Sequence, residues 1–276
     1  MSAGAALVLG LGLTPAPALD SGWAETEGGR MRMVVDPTPR EDGTIAGILD
    51  IDLDPGWKTY WRDPGGSGIP PTLDVSGSDG IALEEMAYPP PVRIDDGYAV
   101  WAGYSAPVQL PLTFRRTGSG DARIHALVFI GICEKICVPF QAEFTINLPE
   151  GTEAADDAKV IVAQAFGKLP QPAAADFKVE TAVLDAEGSR IEISALLPQF
   201  RPSGVEPQLF VAGPPGFAFS QPKPAPAAGG SAGWTVGVEA IPAATSADTR
   251  QTLEIVITLG QRAIVQNVEI KGFSRK

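Results

Sequence analysis

Residues 31–148 run as short stretches of alternating apolar and polar positions, separated by turns that contain Pro or Gly. In residues 44–53, Ile45, Gly47, Leu49, Ile51 and Leu53 fall on one side, with Asp50 and Asp52 on the other. A period of two is the pattern of a strand that buries one face. Asp54-Pro55-Gly56 then marks a turn, because Pro presets φ and Gly adopts conformations closed to other residues. Residues 108–114, 123–133 and 138–148 are predicted strands of the same kind. In the last of these, Phe140, Ala142, Phe144 and Ile146 share a face, against Gln141, Glu143, Thr145 and Asn147.

Residues 154–169 break this pattern. Val160, Ile161, Ala163, Ala165 and Phe166 recur at near-helical spacing, and Gly167 and Pro170 supply a stop. One amphipathic helix is predicted there. A Pro/Ala-rich linker follows over 170–176, and strands return at 178–184, 190–195, 208–211, 233–238 and 252–259. A Pro/Ala/Gly loop is expected over 221–233. The expected fold is all-β, with two immunoglobulin-like β-sandwich domains joined by a short helix. The first sandwich is assigned to 30–150, the helix and linker to 151–172, and the second sandwich to 173–276.

The first 22 residues read as an export segment. Residues 3–13 are small and apolar, and Thr14-Pro15-Ala16-Pro17-Ala18 then offers an Ala-x-Ala cleavage pattern. That run is too short to span a bilayer, and no later stretch approaches about 18 apolar residues. The chain is therefore expected to be exported, soluble and periplasmic, not itself membrane-spanning, with its cysteines in an oxidising compartment.

Composition agrees with a loop-rich β protein: 44% of residues are apolar, and 31 Gly and 26 Pro supply the turns. The net charge of −12 argues against nucleic acid, whose phosphates need a Lys/Arg footprint, and against an anionic membrane surface.

Several chemistries are excluded by what the chain lacks. His125 is the single histidine, so a two-histidine metalloprotease site is unavailable. No Gly-x-Ser-x-Gly elbow accompanies it for a serine triad. Gly65-Gly66-Ser67-Gly68 matches neither phosphate-loop nor dinucleotide spacing and reads as a surface turn. Asp95-Asp96 by itself implies no glycosidase. No cofactor is expected.

Cys133 and Cys137, the two cysteines, remain. On one continuous strand their Cα atoms would lie roughly 13 Å apart, beyond the limit of about 7 Å for a disulfide. A bond therefore needs the chain to turn at Glu134-Lys135-Ile136, setting the cysteines opposite each other at a hairpin end. A loop of five residues stabilises little, about 2 kcal/mol against almost 5 for 100 residues. Three readings stay open: a redox pair, a structural staple, and a soft-metal site for copper using the two thiolates. His125 could join such a site only if its strand bends.

The motif Cys133-Glu134-Lys135-Ile136-Cys137-Val138-Pro139 resembles the redox hairpin of the N-terminal periplasmic domain of DsbD-type thiol:disulfide reductases. It is closer still to the ScsB branch associated with suppression of copper sensitivity. The stretches from Gly56 to Gly65, from Gly68 to Pro71, Tyr88-Pro89-Pro90-Pro91 and Asp95-Asp96-Gly97-Tyr98 are similar to that branch too. The resemblance implies an immunoglobulin-like domain that relays electrons through Cys133 and Cys137. Its donor would be a membrane-embedded DsbD/CcdA-like thiol reductase, and its acceptor a periplasmic thioredoxin-like or disulfide isomerase-type protein. It also implies a cap segment over the cysteines, on which Asp95, Asp96, Tyr98 and Tyr104 fall by position. Trp57, Tyr60 and Trp61 would either line the site or pack the core. The DsbD domain has a longer spacing between its cysteines than the three residues here.

Overall fold

The structure is a computed structural model and describes residues 19–66, 68–95, 97, 99–153, 155–200, 203–227 and 231–273. The first half carries β1 (Ala24–Thr26), β2 (Gly29–Asp36), β3 (Thr44–Leu53), β4 (Lys58–Tyr60), β5 (Thr72–Asp74) and β6 (Ile81–Met86). It continues with β7 (Val92–Asp95), β8 (Val100–Tyr104), β9 (Val108–Arg116), β10 (Ala122–Cys133) and β11 (Cys137–Leu148). One helix, α1 (Asp156–Gly167), leads to β12 (Gln171–Pro172), β13 (Lys178–Leu184), β14 (Arg190–Leu196), β15 (Gln208–Ala212) and β16 (Ala218–Phe219). The last strands are β17 (Lys223–Ala225), β18 (Ala232–Ala240), β19 (Gln251–Leu259) and β20 (Arg262–Ile270).

These elements form the expected all-β pair of immunoglobulin-like sandwiches. In the first, the sheet β1-β2-β3-β9-β6 faces the sheet β11-β10-β4-β8-β7, with β5 added beside β10. In the second, β12-β20-β19-β15 faces β13-β14-β18-β16, with β17 added beside β18. Inward positions of β3, β9, β10 and β11, among them Ile45, Leu49, Leu110, Ile124, Val128 and Phe144, fill the first core. Val179, Ile191, Trp234 and Ile255 lie in the second.

The alternation in β3 described only half of its burial. Ala46 and Ile48, on the face opposite Ile45 and Leu49, are also buried, because α1 lies over them with Val162 and Ala165. The helix therefore covers an outer sheet face as well as joining the two halves. Its buried stripe is Val162 and Ala165, with Ala158, Ile161 and Phe166 at the margin, whereas Val160 and Ala163 face outward. Asp50 is buried on the same face of β3. It is neutralised by Arg32 at 3.1 Å and accepts from Gln109 at 3.2 Å, the pairing that a buried carboxylate requires.

Two other expectations change. Gln171 and Pro172, expected in a linker, pair in parallel with Ile264 and Val265 of β20. Lys223–Ala225, expected in a loop, pairs with Gly233, Trp234 and Thr235 of β18. Residues 1–18 of the expected export segment lie outside the described residues. From Leu19 the chain is built into the fold: Val35 N–H donates to Leu19 O at 2.8 Å, and Ser21 N–H to Met33 O at 2.9 Å. Among the described residues no helix is long and apolar enough to cross a membrane.

The two sandwiches meet across an apolar seam. Phe210, Ala212 and Val256 of the second belong to the same buried cluster as the first core. Trp61 meets Phe210 edge-on, with ring centroids 5.9 Å apart, and Arg62 pairs with Glu254 at 2.8 Å.

Candidate functional site

β10 and β11 form one long hairpin whose register runs without a shift from Ala122 opposite Leu148 to Cys133 opposite Cys137. Glu134, Lys135 and Ile136 make the turn, where Glu134 N–H donates to Ile136 O at 3.2 Å. The cysteines are thus a directly opposed cross-strand pair, with Cα atoms 4.1 Å apart, and they are joined as a disulfide. The turn demanded by the spacing is present, and the bond closes only the hairpin tip.

The two sulfurs have different surroundings. Cys133 is 5% exposed, whereas Cys137 is exposed. Ile136, immediately before Cys137, is 73% exposed, so an apolar side chain stands beside the accessible sulfur.

β4 pairs with the other edge of β10, with Lys58 opposite Cys133 and Thr59 opposite Ile132. Successive strand residues point to opposite faces, so Tyr60 shares the cysteine face while Thr59 turns away. The Tyr60 hydroxyl lies 3.1 Å from Cys137 Sγ and 3.3 Å from Cys133 Sγ. A disulfide sulfur carries no proton, so the phenol is the donor. Gly131 makes room for this ring: a Cβ there would stand 3.0 Å from Tyr60 Cε2 and 3.2 Å from Ile69 Cβ.

The β7–β8 hairpin covers the buried cysteine. Ile94 pairs with Trp101 in its register, and both cluster with Tyr60 and Cys133, with Ile69 and Ala99 at the edge. The Tyr60 and Trp101 rings approach to 4.4 Å at 48°. Gly103 packs under the indole, where a Cβ would stand 2.5 Å from Trp101 Cζ3.

Of the expected cap residues, Asp96 and Tyr98 lie outside the described residues. Asp95 is exposed at the end of β7, and its Oδ1 accepts from Gly97 N–H at 2.9 Å. Tyr104 lies on the opposite face of β8, in the first core, and its hydroxyl donates to Pro89 O at 2.8 Å. Burial raises its phenol well above the ordinary tyrosine range. Of the two possible lining residues, Tyr60 contacts both sulfurs, whereas Trp61 sits in the core against the second sandwich. Trp57 packs at the margin of that first core.

Ile94 and Trp101 were missed from sequence. A signal existed for Trp101 alone: had Tyr104 been read as inward and not as part of the cap, a period of two would have sent Trp101 and Gly103 to the other face. His125 is paired with Glu143 at 2.8 Å, eight strand positions from Cys133. Among the described residues, no group of three or more His, Cys, Asp or Glu is placed to hold a metal ion.

Behind the β7–β8 hairpin, a cavity of about 160 Å³ lies between the sandwiches, lined in part by Asp63, Arg93, Phe210 and Glu239. Burial pushes the Asp63 carboxyl up to about 6, partly offset by the Gly65 N–H and Arg62, with Glu239 adding to the rise. Burial also pushes the Arg93 guanidinium down to about 10.

The site is a disulfide at the tip of a hairpin, on an immunoglobulin-like sandwich, with one sulfur open and one covered. Residues 32–149 match the family described as thiol:disulfide interchange protein DsbD, N-terminal, so the resemblance read from the cysteine motif holds over the first sandwich. Among solved structures, the chain is similar to the N-terminal periplasmic domain of ScsB from Proteus mirabilis. The two are 20% identical with a TM-score of 0.67, over 92% of this chain and 99% of that one, so the likeness in fold extends through both sandwiches. No curated protein sequence matches the chain.

Proposed function

We propose that this protein is a periplasmic thiol:disulfide exchange protein that relays electrons through Cys133 and Cys137. One observation carries the reading: the disulfide presents the open sulfur of Cys137 while Cys133 stays under Ile94 and Trp101, beside the Tyr60 hydroxyl.

A donor dithiol reduces the pair in two steps. Its thiolate attacks Cys137 Sγ, the Cys133–Cys137 bond breaks, and Cys133 departs as a thiolate next to the Tyr60 hydroxyl, which then stabilises the charge. The donor's second thiolate attacks its own sulfur in the mixed disulfide and releases Cys137. The donor leaves oxidised and both cysteines are reduced. Passing the electrons on reverses the roles: Cys137 thiolate attacks an acceptor disulfide and Cys133 resolves the mixed disulfide.

The donor in this reading is a membrane-embedded DsbD/CcdA-like thiol reductase. The acceptor is a periplasmic thioredoxin-like or disulfide isomerase-type protein that docks against Ile136. Export uses the segment before Leu19, with cleavage after Ala18.

Titration against glutathione tests the central claim. A reduction potential above about −300 mV is expected of an exchanging pair, and a value well below it would make the bond a staple. Trapping a periplasmic partner as a mixed disulfide with a Cys133→Ala variant would then name the acceptor.

A further inference from the structure

The β7–β8 hairpin has two faces, and each meets a different part of the molecule. Ile94 and Trp101 face the disulfide with Tyr60 and Cys133. The neighbouring positions Arg93 and Ala102, which pair with each other, point the other way and line the cavity between the sandwiches. Arg93 donates from its guanidinium to Leu209 O of β15. The same guanidinium lies 4.6 Å from the centre of the Phe210 ring.

We propose that Arg93 is a positioning residue through which the second sandwich holds the hairpin over Cys133 and so sets how readily the buried sulfur is reached. This rests on the reading of the cysteine pair as an exchange site.

The physical argument is one of adjacency. Arg93 and Ile94 are consecutive on a four-residue strand, so Ile94 cannot lift from Cys133 without dragging Arg93 across the seam. A half-buried cation that leaves its carbonyl and ring gives up both contacts at once, which makes that motion costly. Partial burial also lowers the guanidinium from its ordinary range, in keeping with its place between the two sandwiches. Arg62, by contrast, crosses the same seam to Glu254 at 2.8 Å at a more exposed position, where an ion pair contributes little. The second sandwich thereby gains a role at a site to which it supplies no reacting atom.

The test uses the reduced full-length chain and iodoacetamide, with alkylation of Cys133 and Cys137 followed separately by peptide mass spectrometry. Arg93→Met removes the guanidinium and keeps an apolar stem. It is expected to speed alkylation of Cys133 about tenfold while Cys137 stays within about twofold, as local opening of one segment requires. Arg62→Gln is expected to leave both rates within about twofold. Cys137 is already open, so general loosening of the fold would also act mainly on Cys133. The Cys133 rate is therefore followed in low urea. Local opening exposes little surface and leaves the acceleration nearly independent of urea, whereas an acceleration that climbs steeply with urea is global loosening and overturns the proposal.

An unchanged Cys133 rate in Arg93→Met, or an equal acceleration in Arg62→Gln, overturns the proposal. If Arg93→Met does not fold, Phe210→Leu removes the ring surface under the guanidinium. A selective rise at Cys133 is again expected, and its absence again overturns the proposal. Alkylation needs no exchange partner, so these outcomes are independent of whether the pair exchanges with other proteins.

Discussion

Cys133 and Cys137 are opposite each other in the last register position of the β10–β11 hairpin, yet they are not equivalent. Cys133 ends a strand whose final four residues are all buried, and Cys137 begins a strand that is largely exposed at its start. The difference comes from the β7–β8 hairpin, whose Ile94 and Trp101 pack with Cys133. This asymmetry orders the chemistry, because an attacking thiolate must reach a sulfur along the bond it breaks.

In the reduced protein, Cys137 is expected to react with iodoacetamide at least about tenfold faster than Cys133, since exposure controls the reach of the reagent. Correspondingly, Cys133→Ser should accumulate mixed disulfides with a small disulfide reagent, and Cys137→Ser should not. Equal accumulation in the two variants would remove the assigned order of attack.

Tyr60→Phe keeps the ring that packs on Trp101 and removes the hydroxyl shared by the two sulfurs. A hydrogen bond that stabilises a thiolate lowers the thiol's pKa, so its loss should raise that of Cys133 by about one unit. Reduction by dithiothreitol should slow several-fold, because a poorer leaving thiolate departs more slowly. Thermal stability should change little. Unaltered reduction kinetics would show that the hydroxyl does not act on the sulfurs.

The disulfide should contribute little to stability. It closes a five-residue hairpin turn, for which chain entropy allows about 2 kcal/mol. In a chain of this size, reduction is then expected to lower Tm by no more than about 4–8 °C. A much larger fall on adding reductant, followed by calorimetry, would identify a structural bond.

Asp63 gives the fold a pH dependence. In the unfolded chain its carboxyl ionises near 3.8, but in the folded protein burial holds the proton to about 6. Between those values the folded state binds the extra proton, so this contribution to stability is present below about pH 4. It is lost as pH rises through about 6, by at most about 3 kcal/mol. Asp63→Asn should flatten urea-unfolding midpoints between pH 4.5 and 7 and raise the midpoint at pH 7. A wild-type midpoint that rises over that range would contradict the burial of the carboxyl.

Export with cleavage after Ala18 would leave Leu19 as the first residue, the position at which pairing with β2 begins. Intact-mass measurement of protein recovered from a periplasmic fraction should give a chain starting at Leu19. A start beyond Ser21 would remove the Leu19 and Ser21 hydrogen bonds and overturn this cleavage point.

Much of the first sandwich was legible locally. Four strands of that half, 44–53, 108–114, 123–133 and 138–148, agree with the structure within three residues at each end. A strand with one dry face announces itself through a period of two, whatever it packs against. The shorter strands β4, β7 and β8 span three to five residues, too few for alternation to stand out among Pro and Gly, and they carry Tyr60, Ile94 and Trp101 to the cysteines. Val160 was placed with the buried stripe of α1 because spacing ranks apolar residues without knowing which arc the sheet will cover.

The sequence by itself determined that the chain is all-β and that its two cysteines can bond only across a turn. Both follow from distances along a single backbone, which a local pattern encodes. Tertiary structure alone decided that Cys133 is covered and Cys137 open, that Tyr60 reaches both sulfurs, and that Arg93 ties the cover to the second sandwich. Tyr60 and Cys137 are 77 positions apart, and Arg93 and Leu209 are 116 apart. Periodicity tells each such residue which face it occupies, and only the packing of the sheets supplies what stands opposite.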